Sequence, residues 1–352
     1  MKTNKTLQDA LDSGKSYNLN LIKFIAAISV IFSHSFGVCY GGTDLLSDYT
    51  AKSGMSITIG GVAVAIFLFV SGLFVSKSLD KCHSGKVYFG SRFFRIFPLL
   101  IVILLISVFI MGPLVTNVSL WEYFTSVQTY QYLLYIFMIP VYSITGVFTS
   151  NPSSLVNGAL WTLILEVICY VCLYISYRLH FFRKKNALLI LCGIIVVSFI
   201  LSFDLIPFIS ALNGYIRPFL LFFIGMIFYV FRDRIVLNYW GGCLSILIIV
   251  VSFICGYGNI GLLIGLPYVI CWISYTNCQC SERLARLGNY SYGIYLVGYP
   301  IQQILRLYFV DITPVMNTLL AAVLAFLFAV LLNRLIEEPS IHYFNKKWRK
   351  QI

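Results

Sequence analysis

Charge is what this chain has least of. Asp, Glu, Lys and Arg make up only 11% of its 352 residues, against 59% hydrophobic residues, and the mean hydropathy is +0.88. That balance excludes a soluble globular domain and leaves a polytopic membrane protein. Organised cysteine is missing as well. Cys39, Cys169, Cys192, Cys243, Cys255 and Cys271 stand singly, mostly inside apolar runs where cysteine behaves as a small hydrophobe. Cys278 and Cys280 form only a loose pair, and no Cys/His spacing suits zinc. A disulfide scaffold is therefore excluded, and no metal is expected. Internal repeats and low-complexity linkers are absent too. Their absence argues against a transporter or lipid-linked sugar carrier built from two matched halves with broken helices.

Apolar runs of spanning length, about 17–25 residues, start near Asn20, Ile57, Phe97, Ala159, Ala187, Ile216, Tyr239, Ile260, Gly288 and Met316. The expected fold is all-α, with about ten transmembrane helices. The run after Asn20 has no small-residue cleavage site and is expected to be a retained first span. The connection from Leu120 to Gly158 contains YQYLLYIFMIPVY, too short to span comfortably and expected to be re-entrant or interfacial. Nothing after Glu338 is expected to form a soluble domain, so residues 1–352 read as one membrane domain.

Basic residues set the orientation. With a cytoplasmic N-terminus, 21 of the 25 Lys and Arg residues fall on inside segments, from Lys2, Lys5 and Lys15 through to Lys346, Lys347, Arg349 and Lys350. Lys23 lies in the first span, and only Lys52, Arg217 and Arg306 fall outside. This bias requires an even number of spans and puts both termini in the cytoplasm. The formal charge of +12 is then a property of topology, split among several loops, and does not indicate a nucleic-acid partner.

Charged groups inside spans are costly, so each asks for a reason. Lys23 and His34 sit eleven residues apart in the first run, on one helical face and about 16 Å apart along the axis. Lys23 can snorkel to the headgroups; His34 is too short to do so and falls within an apolar run, unlike His83, His180 and His342. Glu166, in ALWTLILEVICYV, falls at a depth similar to His34 when both are counted inward from the outer ends. A carboxylate beside an imidazole fixes its tautomer and makes it a better general base. Arg92 and Arg95, in SRFFRIFP, are three residues apart and share a face at the cytoplasmic end of the third run. They read either as positive-inside anchors or as a guanidinium clamp for phosphates. In GNYSYGIYLVGYP, Tyr292, Tyr295 and Tyr299 follow helical spacing, which suits packing, an interfacial belt or the lining of a sugar-binding cavity. The small residues bounding GGVAVAIFLFVSG permit close helix approach.

Taken in order, the run ending in FSH, VAIFLFVSG, RFFRIFP, WTLILE, GNYSYGIYL and IEEP resemble blocks of the acyltransferase-3 family, integral-membrane enzymes that O-acylate cell-surface carbohydrates. The resemblance runs along nearly the whole chain. It implies His34 as the essential histidine, Arg92 and Arg95 as the pair holding the donor's phosphates, and Glu166 as the carboxylate after a tryptophan, here Trp161. Lys23 stands where an arginine is frequent, Asn20 where an aspartate is frequent, and Gly298 where many members carry a second histidine. The expected reaction moves an acetyl group from cytoplasmic acetyl-CoA to a hydroxyl of a surface polysaccharide or its lipid-linked precursor, such as O-antigen or exopolysaccharide, at the bacterial inner membrane. Another acyl donor, such as succinyl-CoA, would fit the same residues. Catalytic roles fall to His34 and Glu166, donor binding to Lys23, Arg92 and Arg95, and substrate contacts to Trp161, Tyr292 and Tyr295.

Overall fold

Each of the ten apolar runs is a helix in the computed structural model, which describes residues 5–14, 16–51, 57–82, 84–202, 205–206, 212–276 and 278–348. They are α1 Tyr17–Tyr40, α2 Ile59–Cys82, α3 Gly85–Ile106, α4 Trp161–Arg178, α5 Lys184–Ser202, α6 Asn213–Val230, α7 Tyr239–Ile254, α8 Gly258–Tyr275, α9 Ser291–Tyr308 and α10 Pro314–Leu332. Among the described residues, seven (α1 to α4, α6, α8 and α10) are long and apolar enough to cross a membrane, while α7 is apolar but shorter. The protein is a multi-pass, all-α membrane protein. Lys2, Lys15, Lys52, His83, Arg349 and Lys350 lie outside the described residues.

The connection beginning at Leu120 does not span. It folds into short helices Leu120–Thr125 and Val127–Gln131 and a 3₁₀ segment Tyr132–Phe137. Its aromatic residues explain why it is ordered: Tyr123, Tyr132 and Tyr135 are fully buried. Helix α3 runs into a π-helical turn, Ser107–Met111, which disturbs the regular carbonyl pairing. Tyr123 donates its hydroxyl to the Val108 carbonyl at 2.7 Å, and burial pushes that phenol up to about 12. Gly112 makes the approach possible, since a Cβ there would collide with the Tyr123 hydroxyl.

The chain groups into two compact units interleaved along the sequence. One contains Met1–Ala26, Leu45–Lys81 and Leu165–Asn289; the other contains Ala27–Asp44, Cys82–Ile164 and Tyr290–Ile352.

In the first unit, α2 and α6 touch backbone to backbone. A Cβ on Gly72 would collide with the Phe222 carbonyl, and one on Gly225 with the backbone at Phe69 and Leu73. The small residues of the second run thus serve close helix packing. Helices α7 and α8 pack as a hairpin. At the N-terminus, β1 (Lys5–Thr6) pairs antiparallel with β2 (Val236–Leu237). Thr6 then caps the helix Leu7–Asp12, and its hydroxyl and backbone amide hold the Asp9 carboxyl below its ordinary range. Lys77 at the end of α2 donates to the Leu11 carbonyl at 2.6 Å, tying that helix to the membrane core.

In the second unit, α9 and α10 form the principal pair, and α11 (Glu338–Trp348) packs on α3. Gly90 leaves room for the Phe344 ring. Helix α9 also meets α1: a Cβ on Gly298 would lie 2.8 Å from Ile31 Cγ1. A histidine at 298 would therefore need Ile31 to move, which gives the glycine there a packing reason.

Candidate functional site

The site is built where α1 and α9 meet in the second unit. His34 is half-buried, with its imidazole edge-on to the Tyr299 ring, centroids 5.1 Å apart and planes at 80°. The Tyr299 hydroxyl shares a hydrogen bond with Ser153 Oγ at 3.0 Å. That serine belongs to a segment held firmly against α9. Gln303 donates to the carbonyls of Ser153 and Leu155 at 2.8 and 2.7 Å, Asn151 donates to Gln303 Oε1 at 2.8 Å, and Asn157 donates to the Leu296 carbonyl at 2.9 Å. From the same helix, Gln302 donates to the Ile31 carbonyl at 2.7 Å, fixing the turn of α1 that carries His34. In a membrane interior such side-chain bonds to backbone are the available means of holding polar groups in place.

A carboxylate also comes into this site. Asp44 is 0% exposed and accepts a hydrogen bond from Ser33 Oγ at 2.5 Å. The bond ties it to the residue next to His34 in the chain. Neither Asp44 nor the pairing of Tyr299 with His34 was singled out from the sequence. Tyr299 carried a usable signal, its helical spacing with Tyr292 and Tyr295. Asp44 carried none, because it follows α1 beyond the turn Gly41–Gly42 and no periodicity tells where such a residue folds back.

The other expected residues are distributed as follows. Tyr292 donates to the Ile96 carbonyl at 2.8 Å, and Tyr295 donates to the Ala159 carbonyl at 2.6 Å and bonds Thr162 Oγ1 at 2.5 Å. Both hydroxyls thus tie α9 to neighbouring helices rather than standing open. Trp161 opens α4 and is half-buried. Arg92 donates to Ser91 Oγ at 3.1 Å and lies 5.4 Å from the centre of the Tyr88 ring, a cation–π arrangement. Arg95, one turn on, is exposed. These residues all belong to the second unit with His34.

Lys23 and Glu166 belong to the first unit. Lys23 is half-buried on α1, one turn past Asn20, against whose backbone Gly288 packs so closely that a Cβ would collide. Glu166 Oε1 accepts hydrogen bonds from Ser71 Oγ at 3.2 Å and from the Tyr170 hydroxyl. Its carboxylate therefore joins α2 to α4 through two neutral donors. Among the described residues, no group of three His, Cys, Asp or Glu could hold a metal ion.

An imidazole set edge-on to a phenol, with a buried carboxylate bonded to the neighbouring Ser33, can accept a proton from a hydroxyl brought to it. A separate arginine pair on α3 can hold an anion. The acyltransferase-3 family model, which describes an acyltransferase domain, matches residues 16–334. The chain belongs to the acyltransferase-3 family. It is thus a membrane acyltransferase, and every expected site residue lies within the matched stretch; the IEEP block at 336–339 begins just beyond it. This acyltransferase is 26% identical to an O-acetyl transferase of Shigella phage Sf6 over 308 residues, 82% of this chain and 86% of that protein. It is also 26% identical to Nodulation protein 10 of Rhizobium leguminosarum bv. viciae over 238 residues, 65% of this chain and 61% of that protein. No solved structure matches it.

Proposed function

We propose that this acyltransferase transfers an acetyl group from acetyl-CoA, bound from the cytoplasm, to a hydroxyl of a surface polysaccharide or its lipid-linked precursor at the bacterial inner membrane. The observation that carries this reading is the placement of His34 against Tyr299, with the buried Asp44 bonded to the adjacent Ser33, in an acyltransferase-3 chain. The likeness to the phage O-acetyl transferase favours acetyl as the group moved. In the reaction, His34 takes the proton of the acceptor hydroxyl while the oxygen attacks the thioester carbonyl. The carbon–sulfur bond breaks, and the coenzyme A thiolate leaves with the proton returned by the imidazolium. Proton and acyl group are both accounted for without any further reactant.

Arg92 and Arg95 are the donor's phosphate ligands in this reading, with Lys23 contributing charge and Glu166 supporting the catalytic end. Arg92→Ala or Arg95→Ala should weaken acetyl-CoA binding by about 10–100-fold, the value of a lost charged hydrogen bond. Arg95→Lys should also be impaired, because lysine lacks the planar fork. Calorimetric titration of the purified variants checks this, and parent-like affinity in both alanine variants would remove the arginines from the donor site.

Ten spans with both termini cytoplasmic follow from the basic-residue bias. Cysteine labelling at Ser154 and Lys184 should then report opposite sides of the membrane; labelling from one side would refute the topology. The acceptor is identified by NMR of the host's surface polysaccharide with and without this protein. Loss of an O-acetyl signal supports the reading, and identical spectra, with the protein present in the membrane, would sink it.

A further inference from the structure

Arg217 takes no part in the chemistry above, yet it is the one buried arginine among the described residues. It lies near the start of α6 in the first unit, only 4% exposed, and its buried Nε has no hydrogen-bond partner among the described residues. The ion pairs of Lys184 with Asp233 and of Arg286 with Glu282 do not involve it. A guanidinium stays charged at any accessible pH, and a buried charge without a counter-charge is strongly unfavourable. A membrane protein that keeps one in a span keeps it for a partner.

The direction of the side chain says what kind of partner. Arg217 Nη1 reaches the N-terminal turn of α2, where it would lie 3.9 Å from a Cβ on Gly61. That turn is the positive end of a 24-residue helix. Thr58 Oγ1 accepts from the Gly61 amide at 2.8 Å, and Gly60 beside it is buried with no side chain to fill the space. Two positive groups, a guanidinium and a helix N-terminus, are therefore set against each other. Either alone would be tolerable; together they repel unless an anion lies between them. A fork of N–H donors beside the positive end of a helix suits an anion with several oxygens, which is phosphate rather than a single carboxylate. At the end of a membrane helix, the phosphate available is one carried by a lipid.

We propose that Arg217 and the Gly60–Gly61 turn of α2 bind the phosphate group of a lipid. With the orientation given above, the site lies toward the outer leaflet. Its phosphate comes either from the polyprenyl carrier of the acceptor, which rests on the lipid-linked reading of that acceptor, or from an ordinary membrane phospholipid. Native mass spectrometry of the full-length protein in neutral detergent separates these, using a short-chain polyprenyl diphosphate, phosphatidylglycerol and the uncharged polyprenol as probes. A phosphorylated probe should bind at least about tenfold more tightly than the polyprenol. Arg217→Gln should erase that preference, and Arg217→Lys should keep part of it. Preference for the polyprenyl diphosphate alone assigns the site to the acceptor's carrier; equal Arg217-dependent binding of phosphatidylglycerol assigns it to membrane lipid. Should Arg217→Gln fail to insert, Gly61→Val fills the space beside Nη1 and should weaken the phosphorylated probe in its place. Unchanged binding of every probe in the folded variants overturns the proposal. Because the readout is binding, this outcome is independent of whether acetyl is the group transferred.

Discussion

Cells carrying His34→Ala at parental levels are expected to lose acyl transfer, with the purified variant slowed by about 10²–10⁴-fold, the usual cost of removing a general base. The reason is positional. His34 is held by α1, whose turn is fixed through the Gln302 bond to the Ile31 carbonyl, so alanine removes the imidazole without removing what orders the helix. The Tyr299 ring loses one neighbour but keeps its hydroxyl bond to Ser153. Donor affinity should be preserved, since Arg92 and Arg95 lie on α3, apart from the turn of α1 that carries His34. The diagnostic result is therefore a separation: acetyl-CoA binding near the parental value together with collapse of turnover. If the polysaccharide remains acetylated in cells expressing the variant, His34 is a packing residue and the reaction is run elsewhere.

The helices were legible because the lipid interior imposes one requirement on every span, a run of apolar residues of fixed length with its backbone bonds made internally. All ten runs are helical, and seven of them, among the described residues, are long and apolar enough to cross a membrane. The LeuPheVal-rich sequence also disclosed where helices approach closely, at Gly72, though not that its partner would be the Phe222 backbone. His34 was legible for the opposite reason: it breaks the apolar rule without being able to snorkel, so it stands out. Its surroundings were less so. Counting residues gives the depth of a side chain but neither its azimuth nor the helix facing it. Glu166 was legible in the same way, by its depth alone, and its hydrogen bonds to Ser71 and Tyr170 were not. The tyrosine stripe of α9 shows the same limit. Spacing put Tyr292, Tyr295 and Tyr299 on one helix, but only packing distinguishes two that bond backbone carbonyls from the one that meets the imidazole.

Asp44→Asn is expected to give the second large effect, a fall in kcat of about 10–10³-fold, below the loss at His34 because the imidazole itself remains. Asp44 sits fully buried, bonded to Ser33, the residue next to His34 in the chain. A carboxylate there stabilises the imidazolium that forms as the acceptor hydroxyl gives up its proton, and asparagine retains the shape and one acceptor while losing the charge. A role confined to this step predicts that kcat falls with KM for acetyl-CoA unchanged, and that Asp44→Glu recovers part of the rate because the charge returns. A merely structural role predicts something different: Asp44→Asn would be nearly silent, since Ser33 can still donate to the amide oxygen, and Asp44→Glu would be the worse of the two through overpacking. Steady-state kinetics of the two variants alongside Glu166→Gln complete the assignment. Glu166→Gln retains an acceptor for both Ser71 and Tyr170, so a loss of rate there larger than that of Asp44→Asn would return the role of partner carboxylate to Glu166.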